Sequence, residues 1–379
     1  MIKIILFLTL YAITIKASAV SVQPDEQWEL KVPILLEKYN VPGVAVVILN
    51  QGEEVKYRFF GYSDLATKQQ IGENTGFNVG SISKTVTAWG VMKLVELGKI
   101  ELDAPIQQYL TRWKIPKSPY DPSGVTVRRL LNHTSGLSQH AVPQFELTET
   151  VPSIEASLAN YKNHGGEKVR LVNSPGTNWS YSGGGYTLLQ LMIEEVTKEP
   201  FSSFMRREIL LPLGMFDSSF EPDEKLLKNL AKSHGRDGRQ TKRLRFAATG
   251  SAGLQTTPHD LALFASAALT FNDKAIAGRG ILTPEHVSKM TSISANAKLP
   301  DGRVAHRNYG YGYFISDSKP YWFGHGGDNR GWHSRFILFP STKNGIVILT
   351  NSSNGFWLAQ DIFCMVTNEI VGEDETNCD

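Results

Sequence analysis

Hydrophobic positions change their period along the chain, and the elements follow those changes. Over residues 26–39, Trp28, Leu30, Val32, Ile34, Leu35 and Leu36 mark the apolar side of an amphipathic helix that Pro33 interrupts in its first half. Residues 44–49 and 55–60 are short β-rich runs on either side of Gln51-Gly52, the pattern of a hairpin. In residues 85–97 the apolar positions Val86, Trp89, Val91, Met92, Leu94, Val95 and Leu97 cover much of a helical circumference, which predicts a buried helix with Gly98 as its C-cap. A short helix over 102–110 and another segment over 125–131 follow. To about residue 275 the pattern is mostly helical, including 186–196 and 259–269. Strands return at 309–315, 321–325, 332–339 and 346–351, ahead of a closing helix over 356–370. Strands at both ends with helices between them predict one antiparallel sheet built from the two termini, plus a helical insert.

The first candidate chemistry lies at the start of the buried helix, in Phe77-Asn78-Val79-Gly80-Ser81-Ile82-Ser83-Lys84. Residues three apart on a helix share a face, so an amine at Lys84 reaches a hydroxyl at Ser81. A serine needs an adjacent proton acceptor to become a nucleophile, and a lysine supplies one when its surroundings lower its pKa. The competing reading is a capping serine with a surface lysine. A second Ser-x-x-Lys, Ser316 to Lys319, follows a strand and runs into Pro320, so it reads as a turn without a shared helical face.

Composition narrows the classes. Residues 1–19 have the pattern of a secretory signal, with Lys3, an apolar run over 4–15 and Ala17-Ser18-Ala19, leaving 20–379 as the mature domain. The run is short for a bilayer span, so no stable membrane insertion is expected after cleavage. Cleavage after Ala19 removes Lys3 and Lys16, taking 39 basic against 37 acidic residues to 37 against 37. That balance gives no reason to expect nucleic acid or an anionic membrane as partner. The nine histidines are scattered without metal-ligand spacing. Of the two cysteines, Cys364 and Cys378, either a bridge forms in an oxidising compartment or Cys364 is a buried apolar residue and Cys378 a free tail thiol. Gly-x-Ser-x-Gly and a Walker loop are both absent. The basic run over 232–245 reads as a solvated loop.

Two glycine-bounded clusters complete the set: Trp179-Ser180-Tyr181-Ser182-Gly183-Gly184-Gly185 and Gly324-His325-Gly326-Gly327-Asp328. Taken in order with Ser81 and Lys84, with Asn132-His133-Thr134-Ser135-Gly136-Leu137 and with Gly253-Leu254-Gln255-Thr256-Thr257-Pro258, the chain resembles the serine β-lactamase and penicillin-binding-protein superfamily. The nearest branch in pattern is that of class C β-lactamases, DD-peptidases and β-lactamase-like esterases. The resemblance implies an α+β fold: a five-stranded antiparallel sheet flanked by the terminal helices, beside a mostly helical second lobe. It implies Ser81 as acylated nucleophile, Lys84 and Tyr181 sharing proton transfer, and an oxyanion hole from the backbone N–H groups of Ser81 and Asp328. Gly183, His325, Gly326 and Gly327 take the substrate-binding positions. A phenol beside a lysine ammonium is expected to have a lowered pKa. Two positions depart from the family pattern: Gly183 stands where an asparagine is common, and His325-Gly326-Gly327 replaces Lys-Thr-Gly. A histidine that titrates near pH 6.5 would then read a substrate carboxylate. The expected activity is a secreted or periplasmic serine hydrolase without metal or organic cofactor, acting on a small-molecule or peptide acyl substrate in DD-peptidase or esterase fashion. A class C-like β-lactamase is the alternative within that class; a catalytically silent receptor for penicillin or peptidoglycan is the alternative outside it. The oligomeric state stays open.

Overall fold

The computed structural model describes residues 27–51, 54–138, 141–159, 162–294, 308–316 and 319–371; the expected signal segment and Cys378 lie outside them. Eight strands, all antiparallel, form the main sheet among the described residues. In chain order they are β1 (Gly43–Asn50), β2 (Glu54–Asp64), β3 (Gln69–Gln70), β4 (Asn308–Tyr309), β5 (Phe314–Ile315), β6 (Phe323–Asn329), β7 (Trp332–Phe339) and β8 (Asn344–Thr350). Across the sheet they run β3-β2-β1-β8-β7-β6-β5-β4, and the two ends of the chain meet where β1 pairs with β8, from Val44 opposite Thr350 to Leu49 opposite Gly345.

The unbroken apolar run of β1 follows from burial on both faces. Val44, Val46 and Ile48 pack with Leu36, Ile346, Leu358 and Ile362 under the terminal helices α1 (Val32–Tyr39) and α6 (Gly355–Val371). Ala45, Val47 and Leu49 face the opposite core, which includes Val86, Trp89 and Phe264 of the inserted lobe. That lobe contributes α2 (Ile82–Glu96), α3 (Gly183–Thr197), α4 (Thr249–Ala252) and α5 (Pro258–Ala267) to the neighbourhood of the site. Pro33 stands in the first turn of α1, where its missing N–H costs nothing, so the helix begins there and residues 29–31 form a separate 3₁₀ turn.

Three expectations need correction. The sheet has eight strands where five were expected, because the two-residue strands β3, β4 and β5 extend its edges. The single strand expected over 309–315 is a hairpin, β4 and β5, whose Gly312 turns at φ +80° against α2 and accepts a 2.7 Å bond from Thr85 Oγ1. The helix expected over 102–110 shrinks to a 3₁₀ turn at Ile106–Gln108 behind Pro105. At the cysteines, where two states were open, Cys364 is in a disulfide, which excludes the free-thiol alternative.

Candidate active site

α2 is held at its start by bonds that leave the Ser81 hydroxyl out of the capping. Ser81 occupies the N-cap position with φ −66° and ψ −8°, and its side chain makes no capping bond. Ser83 holds the turn: its Oγ donates to Gly80 O at 2.6 Å and accepts from Leu254 N–H at 2.9 Å. Ser334 Oγ on β7 donates to Val79 O at 2.8 Å, and Asn78 Oδ1 accepts from Gly80 N–H at 3.1 Å. The turn before α2 is therefore clamped from β7 and from the segment after α4. Gly80, at φ +51°, is required there by conformation as well as by space.

With the capping duty elsewhere, Ser81 Oγ turns to Lys84, whose Nζ lies 3.1 Å away. Lys84 Nζ also donates to Ser251 O on α4 at 2.8 Å. The lysine is 2% exposed, which excludes the surface-lysine reading. Burial lowers its pKa from 10.5 to about 7, so at neutral pH a large share of the population carries a free amine. Tyr181, just before α3, completes the group: its phenol hydrogen-bonds Ser81 and its ring centroid is 4.8 Å from Lys84 Nζ. The expected lowering of the Tyr181 pKa does not occur. Burial pushes it above the usual phenol range, Asp328 adds to the rise, and the Ser81 bond only partly opposes it. Of the two groups expected to share proton transfer, Lys84 is the one able to accept a proton near pH 7, and Tyr181 is a protonated hydroxyl.

Strand β6 lies directly over the serine turn. A methyl group on Gly327 would fall 2.0 Å from Val79 O and 2.7 Å from Ser81 N; one on Gly80 would fall 2.7 Å from Asp328 N. The glycines bring the amides of Ser81 and Asp328 onto facing stretches of backbone, an arrangement suited to two donors on one oxyanion. Asn329 ties the end of β6 to the site by donating to Asn78 Oδ1 and to Ala252 O.

His325 is placed beside the site but not as a charge reader. It is 3% exposed, with Nδ1 donating to Gly326 O at 2.5 Å and Nε2 accepting from Tyr309 O–H at 3.1 Å. Burial lowers its pKa from 6.5 to about 3, against the opposing pull of the Gly326 bond and with Lys84 adding to the fall. The expectation of titration near pH 6.5 is overturned: the ring stays neutral because it is dry. Gly183 is also corrected. It is a buried residue opening α3 behind the Ser182 cap, which accepts from Gly185 N–H at 3.0 Å, and it does not line the catalytic cavity.

That cavity, about 450 Å³, is lined by Ser81, Tyr181, His325, Gly326 and Asp328 together with Trp179, Phe314, Trp322, Arg335 and Phe356. Two of its supports have no role assigned from the sequence, although His133 stands in one of its motifs. Tyr309 was legible only as a strand residue, yet its hydroxyl fixes His325. His133 sits with its ring centroid 4.3 Å from that of Tyr181 and accepts from Ser182 N–H through Nδ1 at 3.1 Å, which backs the tyrosine. Ser316 and Lys319 lie apart from this group: Ser316 N–H bonds Trp322 O in a turn and Lys319 is exposed.

The fold and site together define the class. The chain belongs to the Beta-lactamase family, whose model matches residues 28–361. It is 24% identical to Protein flp of Staphylococcus aureus (strain MRSA252) over 331 residues, which make up 85% of this chain and 62% of that protein. The chain thus spans a little under two thirds of the length of that curated relative. Among solved structures, the octameric penicillin-binding protein homologue from Pyrococcus abyssi superposes with a TM-score of 0.74 at 25% identity, covering 91% of this chain and 77% of that one. A class C beta-lactamase superposes equally well, TM-score 0.74 at 18% identity over 91% of this chain and 96% of the other, and shows the shared fold.

Proposed function

We propose that this protein is a serine hydrolase that forms an acyl-enzyme on Ser81 and acts on an ester, amide or peptide substrate, in the manner of a DD-peptidase or esterase. The observation that carries this reading is the buried Lys84 amine, with a pKa of about 7, held 3.1 Å from the Ser81 hydroxyl. Burying an amine against a hydroxyl costs stability, and a binding protein with no acyl chemistry gains nothing from it.

In acylation, the free Lys84 amine takes the Ser81 proton as Oγ attacks the carbonyl carbon. The Ser81 and Asp328 amides receive the negative charge that develops on the carbonyl oxygen. Tyr181, protonated at neutral pH, donates to the departing nitrogen or oxygen, and the proton that Lys84 took from Ser81 restores the phenol, so both groups end the step as they began. In deacylation water follows the same path in reverse. The neutral, fully bonded His325 disfavours efficient β-lactam hydrolysis, because no cation stands at that position to hold a ring carboxylate. Export is supported by the pattern of residues 1–19, and N-terminal sequencing of secreted material tests it.

The test of the hydrolase is intact mass after incubation with a fluorophosphonate, a penicillin and a p-nitrophenyl ester. A single adduct is expected in the wild type and in Ser316→Ala, and none in Ser81→Ala. An unlabelled wild type that still binds penicillin would establish the receptor reading instead.

A further inference from the structure

We infer that the catalytic cavity selects against substrates whose departing group carries a carboxylate next to the scissile bond and accepts neutral or cationic departing groups, with Asp328 as the residue that sets the preference. This rests on the serine-hydrolase reading and narrows it to the esterase side, because the amino acid that a DD-peptidase expels carries such a carboxylate. Side chains alternate along a strand, so Gly324, Gly326 and Asp328 of β6 share one face, while Gly327 turns the other way onto Ser81. The face is bare at Gly326, where a methyl group would meet only Ser334 O, at 3.6 Å. Its one charged side chain is Asp328, whose amide lies against the serine turn. His333, the residue opposite on β7, holds Asp328 Oδ1 through Nδ1 at 2.6 Å, yet the Asp328 side chain remains 71% exposed. Its charge is felt at the Tyr181 phenol, so it acts within the reaction centre.

Among the described residues lining the cavity, three are able to carry positive charge, and each is engaged: His333 is held by Asp328 itself. His325 is neutral and both ring nitrogens are engaged. Arg335, opposite Gly326 and one step along the ladder, turns to α6: it donates to Gln360 Oε1 at 2.7 Å and lies 5.3 Å from the Phe363 ring centroid. The rest of the wall is apolar, with Phe314, Trp322, Ile337 and Phe356. A departing group therefore meets aromatic surface and one negative charge.

The experiment uses three esters with the same acyl group and different phenols: 3-hydroxybenzoate, 3-hydroxybenzamide and 3-(aminomethyl)phenol. In wild type, kcat/KM for the anionic ester is expected to be about tenfold below the neutral one, the scale of two charges several ångströms apart in a partly wet site, with the cationic ester at least equal to the neutral. In Asp328→Asn the anionic-to-neutral ratio should rise about tenfold; the ratio is read because a change at an oxyanion position also lowers the absolute rates. Raising salt from about 0.05 to 0.5 M should narrow the wild-type ratio without any mutation. A flat series in wild type, with a ratio unmoved by Asp328→Asn and by salt, overturns the inference while turnover still upholds the hydrolase. A selective loss on the anionic ester in Arg335→Gln would make the arginine a carboxylate anchor and also overturn it. Failure of all three esters to acylate wild type would sink the hydrolase reading and this one together.

Discussion

Replacing the buried Lys84 should make the protein more stable, and the gain should depend on pH in a way only Lys84 explains. Burial takes the Lys84 pKa from 10.5, the value of a solvated lysine, to about 7. At 1.36 kcal/mol per pH unit, burying the amine costs about 5 kcal/mol below about pH 7, and less as pH rises from there to 10.5. The sign follows from proton counts. Between pH 7 and 10.5 the unfolded chain binds the extra proton, so wild-type stability rises with pH by about 1.4 kcal/mol per unit; below 7 both states are protonated and the full penalty stays. Lys84→Met keeps the side-chain length and removes the charge, but leaves Ser251 O without its 2.8 Å donor, a loss of about 2 kcal/mol. The net gain over wild type should then be about 3 kcal/mol at pH 6, about 1 kcal/mol at pH 8, and gone by pH 9.5. Urea unfolding of the two proteins at those three pH values measures it, since pH effects from other groups cancel in the difference. A variant less stable than wild type at pH 6, or a gain that does not change with pH, would refute the claim that desolvation makes this lysine a base.

Other consequences follow from the same geometry. The wild-type acylation rate should rise with pH through about 7 as Lys84 loses its proton; Tyr181→Phe should lower the rate about a hundredfold while leaving that limb in place, because the phenol stays protonated on both sides of it. A limb that moves with Tyr181→Phe would return the base to the tyrosine. His325 should keep a neutral ring with the proton on Nδ1 from pH 8 down to about 4, as read from imidazole nitrogen shifts by NMR; titration centred near 6.5 would contradict its burial. Gly327→Ala places a methyl 2.0 Å from Val79 O, so it should displace β6 from the serine turn and cost at least about a hundredfold in kcat, the scale of losing an oxyanion donor. Near-normal kcat in that variant would show that the two backbones do not need to be this close.

How much of this was legible in sequence depends on what each residue's role rests upon. The Ser81–Lys84 pair was readable because it is local: spacing on one helix fixes both the reach and the face. The sheet built from both termini was readable because β1 and β8 carry continuous apolar runs, and its short edge strands were not, since two residues leave no period to detect. Protonation states were hidden for a single reason. At Tyr181 the sequence shows a neighbouring cation and at His325 an ordinary imidazole, but burial is the largest cause of the shift at each and overrides both. Depth in a fold is set by distant elements: Tyr309 and Phe314, from a hairpin read as one strand, pack with His325, with ring centroids 6.0 and 4.9 Å away.

The departure from Lys-Thr-Gly therefore alters more than a carboxylate contact. A second buried cation at position 325 would repel the charged form of Lys84 and lower its pKa by electrostatics. Here the Lys84 shift comes from desolvation, and the neighbour at 325 is uncharged. Dryness makes the base. It follows that its strength is tied to how well the cavity excludes water: a bound acyl group that covers Ser81 lowers the Lys84 pKa further, which makes the amine a weaker acceptor of the serine proton while keeping more of the population in the free-amine form. At a working pH near 7 the second effect is worth at most a factor of about two, because roughly half the population is already free. Tight closure over this site would then bring little rate, which fits a cavity walled by Trp179, Phe314, Trp322 and Phe356.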